Sequence, residues 1–358
     1  MIDGERLLRT FLALARISSP SGHEEAVAGA VAARLAALGI PCEGDAHGNL
    51  LARVPGEGQP LLVTAHMDTV VPCENVQPVV RDGVVYSDGS TILGADDKAG
   101  VAMMLEVVEV LQQGGLAHRP LELLFTVREE IGLEGARLFD KSRLRARQGI
   151  GLDAGGDAGV IVVSAPSQDS LFVTVRGRTA HAGSEPENGV NAIVAAARGI
   201  ARMPLGRIDF ETTANIGVIA GGAATNIVPD CVTLRGEARS RDAAKLAAQT
   251  QAMVTALHEA AAEMGATAEV EVQRRYDAYR LDESAATVQL VMTAMRRLGI
   301  APRLVPSGGG TDGNILNHAG IETVQISVGM EDVHTTGEYV AVEAMVRGAE
   351  LLLACVAG

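Results

Sequence analysis

Apolar positions along the chain recur with two periods, one near 3.6 residues and one near two, and the switches between them outline most of the elements. Leu7, Leu8, Phe11, Leu12, Leu14 and Ile17 fall at roughly helical spacing and predict a first amphipathic helix to about Ile17. Ser18-Ser-Pro-Ser-Gly22 breaks it. Ser21 and Glu24 then make a capping-box pattern for a second helix through about Leu38, with Gly39 as its stop. Apolar runs predict strands at 48–54, 61–65, 121–127 and 149–153, and a strongly apolar helix at about 101–111. Asp82-Gly83 is a hairpin-turn signal.

The pattern changes near Ser167. A strand at 171–175 is followed by a helix to about Arg202, capped by Asn188 or Asn191. Strands at 215–219 and 231–237, an Ala-rich helix at about 242–264 and a strand at 268–272 complete a strand-helix-strand-strand-helix-strand order, which is that of a ferredoxin-like unit. The expectation is an inserted domain at about 167–276 and a discontinuous first domain, 1–166 and 277–358. The first domain resumes with a helix at 284–298, a glycine-rich loop at 306–312, a strand at 322–328 and a helix at 340–356. No Gly-Lys-Ser/Thr follows the glycines, so the loop is not a phosphate loop.

Composition narrows the partners. A chain of 358 residues, 47% hydrophobic, is long enough for two domains with a sizeable core. A net charge of -14 without a basic run argues against nucleic acid or an anionic membrane surface. Cys42, Cys73, Cys231 and Cys355 are far apart, which suggests buried free thiols in a reducing compartment. Arg6, Arg9 and Arg16 break up the N-terminal apolar positions, so no signal-peptide core is expected. No apolar run reaches the about 18 residues of a membrane span. The expectation is a soluble, cytoplasmic protein.

The candidate chemistry sits where apolar runs end. Leu121–Val127 leads to Glu129 and Glu130, adjacent carboxylates that repel each other unless a positive charge lies nearby. His66 and Asp68 follow the 61–65 run, Asp153 ends the 149–153 run, His334 lies beyond the 322–328 run, and Asp96 opens the 101–111 helix. Strand ends are where α/β sheets place their chemistry. Taken singly, each of these residues has a plain explanation as a cap, a turn or a solvated pair. Together they form a ligand set for zinc, or for manganese or cobalt. More carboxylates than one ion needs suggests two ions sharing a bridging acid.

His66-Met-Asp68-Thr, Gly94-Ala-Asp96-Asp97-Lys-Ala-Gly100, Glu129-Glu130-Ile-Gly, Asp153, Gly177-Arg-Thr-Ala-His181-Ala-Gly183, Ser307-Gly-Gly-Gly-Thr-Asp312 and Val333-His334 recur in order along nearly the whole chain. In this combination the sequence resembles the M20 metallopeptidases, in their peptidase T-like (tripeptide aminopeptidase) branch. The resemblance implies a zinc-peptidase (phosphorylase/hydrolase-like) α/β catalytic domain with an inserted ferredoxin-like α+β lid, and a homodimer formed through that lid. It implies that His66, Asp96 and Asp153 hold one zinc and that Asp96, Glu130 and His334 hold the other, so that Asp96 bridges. Asp68 would orient His66, Glu129 would be the general base, and His181 would stabilise the oxyanion. Asn226 and Arg239 would bind a substrate carboxylate or carbonyl, and the 307–312 loop, with Gly309 and Thr311, would line the pocket. Asp153, where a Glu would favour carboxypeptidases and deacylases, leans toward the aminopeptidase-like branch. The implied substrate is a short peptide. The alternatives are an N-acyl amino acid amidohydrolase or a carboxypeptidase with the same metals, and a non-catalytic peptide-binding protein, which predicts a missing ligand or base.

Overall fold

Leu61–His66, Leu121–Thr126, Gln148–Gly155 and Glu322–Glu331 are the long apolar strands, and their pairing explains why their apolar runs are continuous. They lie side by side in the order 121–126, 61–66, 148–155, 322–331, all parallel, with Leu50–Val54 antiparallel beyond 121–126. Leu61, Val63, Ala65, Leu121, Leu123 and Phe125 join the main core, while Leu62 and Leu124 pack in a separate cluster with Phe139, Leu144, Leu316 and Ile321. A strand covered on both faces has no polar side to show. The computed structural model describes residues 1–357.

The helix Ala95–Gly114 is buried at every position through Leu111, and Gly4–Ala15 and Val342–Val356 pack against it. Its Glu106 is buried but compensated. Arg6 donates to both carboxylate oxygens at 2.6 and 2.7 Å, and the Asp3 N–H donates at 2.8 Å. Asp3 also caps the first helix, accepting from the N–H groups of Glu5 and Arg6.

The chain divides into two units: Met1–Ser164, Arg280–Ser307 and Thr311 onward form the first, and Ala165–Tyr279 with Gly308–Gly310 form the second. The breaks lie two or three residues from the 166/167 and 276/277 positions read from the sequence. The glycines of the 307–312 loop go with the second unit because Gly310 lies so close to the Tyr276 ring that a Cβ there would collide with it. The second unit holds strands Ser167–Arg176, Thr212–Gly221, Cys231–Ser240 and Thr267–Tyr276 in the spatial order 212–221, 231–240, 167–176, 267–276, antiparallel throughout. With helices Ala192–Arg202 and Ala243–Glu263 this is the ferredoxin-like arrangement. Asn191, not Asn188, caps the first of these helices, accepting from the Val194 N–H at 3.0 Å.

Two local readings change. Ser21 does not cap the second helix, Glu25–Ala37. Its hydroxyl donates to Asp68 at 2.6 Å, and Glu24 accepts from the N–H groups of Gly22 and Arg128. Strands at Val79–Arg81, Val84–Tyr86, Arg303–Pro306 and Tyr339–Ala341 escaped the periodicity, being too short to display a period, and the six-residue strand Val160–Ala165 was missed as well. The first two form the hairpin around Asp82-Gly83, both at positive φ.

Gly100 marks the tightest fit of the buried helix. A Cβ there would collide with the Asp97 carboxylate and lie 2.5 Å from the Leu152 carbonyl oxygen of strand 148–155. Gly100→Ala is expected to cost about 1–3 kcal/mol, the usual range for an overpacked site, seen as a lower urea midpoint at unchanged m-value.

Candidate metal centre

Strand 61–66 ends in His66, whose side chain is 98% buried. Its Nε2 lies 2.9 Å from Asp96 Oδ1, and its Nδ1 lies 2.9 Å from the Asp68 carbonyl oxygen and 3.4 Å from Asp68 Oδ1. The other oxygen of Asp96, Oδ2, is 3.3 Å from Nε2 of His334, which is also 3.0 Å from Glu130 Oε1. One carboxylate therefore faces two histidines, one per oxygen. Asp96 and Asp97 interrupt the helix geometry and are joined by a cis peptide bond. His334 holds a left-handed backbone, φ +64°, uncommon for a residue with a side chain. Three triads have ligand atoms within 4.8 Å of one another: His66, Asp96 and Asp153; Asp96, Glu130 and His334; and His66, Glu129 and Glu130.

Asp68 ties these strand ends together. Its Oδ1 accepts from the Glu129 N–H at 2.9 Å, and its Oδ2 accepts from the Glu130 N–H at 3.1 Å and from Ser21 Oγ at 2.6 Å. Burial opposes its charge, but hydrogen bonds from His66, Ser21 and the Glu129 N–H hold the carboxyl below its ordinary range. The other acids behave differently. Burial drives Glu129, Asp153 and Asp97 well above the ordinary carboxylate range, and their negative neighbours add to it. Burial raises Glu130 and also Asp312, the latter to about 6. Hydrogen bonds from His334 and His66 overcome burial at Asp96 and keep it low. His66 is raised well above its ordinary value, against burial, by Asp68 and Asp96, and His334 is raised to about 10 by Asp96 and Glu130. The cluster thus holds more negative charge than its own side chains can balance, and it takes up protons to compensate. A donor set of two imidazoles and crowded carboxylates fits divalent cations of the zinc type.

The remaining residues singled out in the sequence lie mostly in the second unit. His181 is exposed, and its Nδ1 accepts from the N–H groups of Gly183 and Ser184 at 3.1 and 3.0 Å, which leaves the ring proton on Nε2. The Ala182 N–H donates to the Asn226 carbonyl oxygen at 3.0 Å, so the segments carrying His181 and Asn226 brace each other. Arg239 makes a two-pronged ion pair with Glu237, at 2.9 and 3.0 Å. Gly309 belongs to the triplet counted with this unit. Thr311 belongs to the first unit, where its hydroxyl caps helix Asp312–His318 and accepts from Gln325 Nε2 at 2.9 Å.

Sequence reasoning missed a supporting layer. Glu338, 1% exposed, accepts backbone hydrogen bonds from Leu93, Gly94 and Asp96. Lys98 is fully buried and donates to the Ile17 carbonyl oxygen at 2.6 Å; burial lowers it to about 8. Ser19 donates to the Met67 carbonyl oxygen at 2.8 Å. The Ser-Ser-Pro-Ser-Gly stretch is a visible signal in the sequence, but its spacing points only to a helix break. Glu338 gave none beyond standing four residues after His334.

Histidines converging on a shared carboxylate at the ends of parallel strands define the class: a hydrolase of the metallopeptidase type. The chain belongs to the peptidase family M20/M25/M40, whose pattern it matches over residues 62–357. YqjE of Bacillus subtilis is 42% identical over 366 residues, covering 99% of each chain. Among solved structures, aminopeptidase PepT from Bacillus cereus is 42% identical with a TM-score of 0.85, covering 99% of this chain and 98% of that one. A tripeptidase from Staphylococcus aureus is 41% identical with a TM-score of 0.91 at the same coverage.

The proton uptake has a measurable sign. Raised carboxyls and raised histidines both mean that the metal-free folded state binds more protons than the unfolded chain. Stability then falls as pH rises, through about 4 to 6 for Asp312 and about 6.5 to 10 for His334. Metal binding displaces such protons and is favoured by high pH. The gap in melting temperature between zinc-loaded and chelated protein is expected to widen from pH 5.5 to 8, as followed by differential scanning fluorimetry. A gap that narrows would reverse this account.

Proposed function

We propose that the chain is a two-metal hydrolase that cleaves the peptide bond of short peptides from a free N-terminus. The observation that carries this reading is Asp96, with one carboxylate oxygen toward His66 and the other toward His334. A carboxylate so placed would be shared by two cations, one that His66 and Asp153 would also hold and one that Glu130 and His334 would also hold. The likeness to an aminopeptidase and a tripeptidase across almost the full chain supports the substrate class.

When bound, two zinc ions, or manganese or cobalt in their place, supply Lewis acidity toward the amide carbonyl and acidify water. Glu129 takes the proton from that water and passes it to the leaving amine. In the metal-free cluster, burial and neighbouring acids raise its proton affinity. Asp68 keeps His66 oriented and also fixes the backbone of Glu129. His181 donates from Nε2 to the oxyanion, a role suited to a ring whose Nδ1 is already engaged. Asn226, Arg239, Gly309 and Thr311 recognise the peptide, Thr311 through the helix start that it caps. The second unit mediates a homodimer. Strand 212–221 pairs outward with only the two residues 206 and 207, and Val218 and Ile219 are about half exposed on it.

Chelated protein supplied with zinc, manganese or cobalt should cleave di- and tripeptides with free N-termini and spare their N-blocked forms. Cleavage of N-acetyl amino acids instead would assign the deacylase activity, and no turnover by metal-loaded protein on either set would remove the peptidase reading. Glu129→Gln should keep both metal equivalents while turnover falls about 10²- to 10⁴-fold, the usual contribution of a general base. Turnover near wild type in that variant removes Glu129 from the mechanism.

A further inference from the structure

Glu338 ends the exposed turn that begins beyond strand 322–331. Thr335 Oγ1 donates to the Asp332 carbonyl oxygen at 2.8 Å, and the Glu338 N–H donates to the Thr335 carbonyl oxygen at 3.2 Å. His334, Thr335, Thr336 and Gly337 are exposed, yet the Glu338 side chain turns inward and is buried. Its Oε2 accepts from the N–H groups of Leu93 and Gly94, both at 2.8 Å, and its Oε1 accepts from the Asp96 N–H at 3.0 Å. The same short turn carries His334, which meets the Asp96 carboxylate from its other end. Asp96 is therefore gripped twice by one segment, at the backbone by Glu338 and at the carboxylate by His334.

We propose that Glu338 is a positioning residue that locks the Asp96 segment and the His334 turn into one unit, and so sets the affinity of the Asp96–Glu130–His334 site in particular. This inference rests on the two-metal reading above. The His66–Asp96–Asp153 site depends less on Glu338, because His66 and Asp153 sit on strands 61–66 and 148–155, which pair with each other directly. Glu338→Gln sets an amide N–H₂ against a backbone donor. Glu338→Asp keeps the charge but is a methylene too short to span all three N–H groups.

The test is titration of chelator-stripped protein with Co²⁺, read by its visible absorption, and with Zn²⁺ by calorimetry. Wild type, both Glu338 variants, His334→Ala and the double variant Glu338→Gln with His334→Ala are compared. Both Glu338 variants should bind one ion within about threefold of wild type and the other about 10- to 100-fold more weakly, the range seen when a ligand's support is removed. The double variant should bind no more weakly than His334→Ala alone. Two ions bound at wild-type affinity by the Glu338 variants, equal weakening of both ions, or additive losses in the double variant would each overturn the proposal while leaving the two-metal reading intact. If Glu338→Gln does not fold, as judged by circular dichroism, Glu338→Asp decides on the affinity criteria. A wild-type protein that binds fewer than two ions fails the underlying reading, and this inference with it.

Discussion

Asp96 must present one carboxylate to two imidazoles, and much of the first unit is arranged around that requirement. A carboxylate can bridge only if its backbone is fixed while both oxygens stay open to partners. The buried helix that begins at Ala95 supplies a rigid base, and Gly100 lets that helix approach strand 148–155 closely. Asp97, next in the chain, points back and accepts from the His66 and Gly100 N–H groups at 3.3 and 3.1 Å. The two neighbouring acids thus divide the labour: one is turned into the fold, the other is left facing histidines.

That division recurs around the centre. Asp68, Asp97, Glu24 and Glu338 accept backbone hydrogen bonds and pin the segments from which the centre is built. Asp96, Glu129, Glu130 and Asp153 face one another or histidines, and their mutual repulsion in a dry setting is what a cation relieves. Backbone N–H donors offset part of the cost of burying the pinning acids, and at Asp68, with His66 and Ser21 added, they outweigh it. The facing acids keep an affinity for positive charge that a fully satisfied network would lack.

His66, Glu129, Glu130 and Asp153 were legible in the sequence because parallel strands covered on both sides read as nearly unbroken apolar runs, and Asp96 because it opens a strongly apolar helix. Polar residues just beyond such runs stand out. The ferredoxin-like unit was legible for a related reason, as Ser167–Arg176 and its partners are long enough to show their period. The pinning residues were not legible. Ser21 lies 47 residues from Asp68, and Glu338 lies 242 residues from Asp96, so nothing local distinguishes them from an ordinary cap or a surface acid. The ion pair of Arg239 with Glu237, two residues away, was not legible either, because spacing along a strand permits such a contact without announcing it.

The chain order of the ligands also sets an order in time. His66, Asp96 and Asp153 are all made early, but His334 follows only after the entire second unit has been translated. At typical synthesis rates those roughly 180 residues take on the order of 10–40 s. During that interval strand 148–155 lacks the neighbour 322–331 that will flank it. A nascent chain emerging from the ribosome therefore passes through a half-built stage in which the triad containing His334 is missing, and its maturation waits on strand 322–331 joining the sheet.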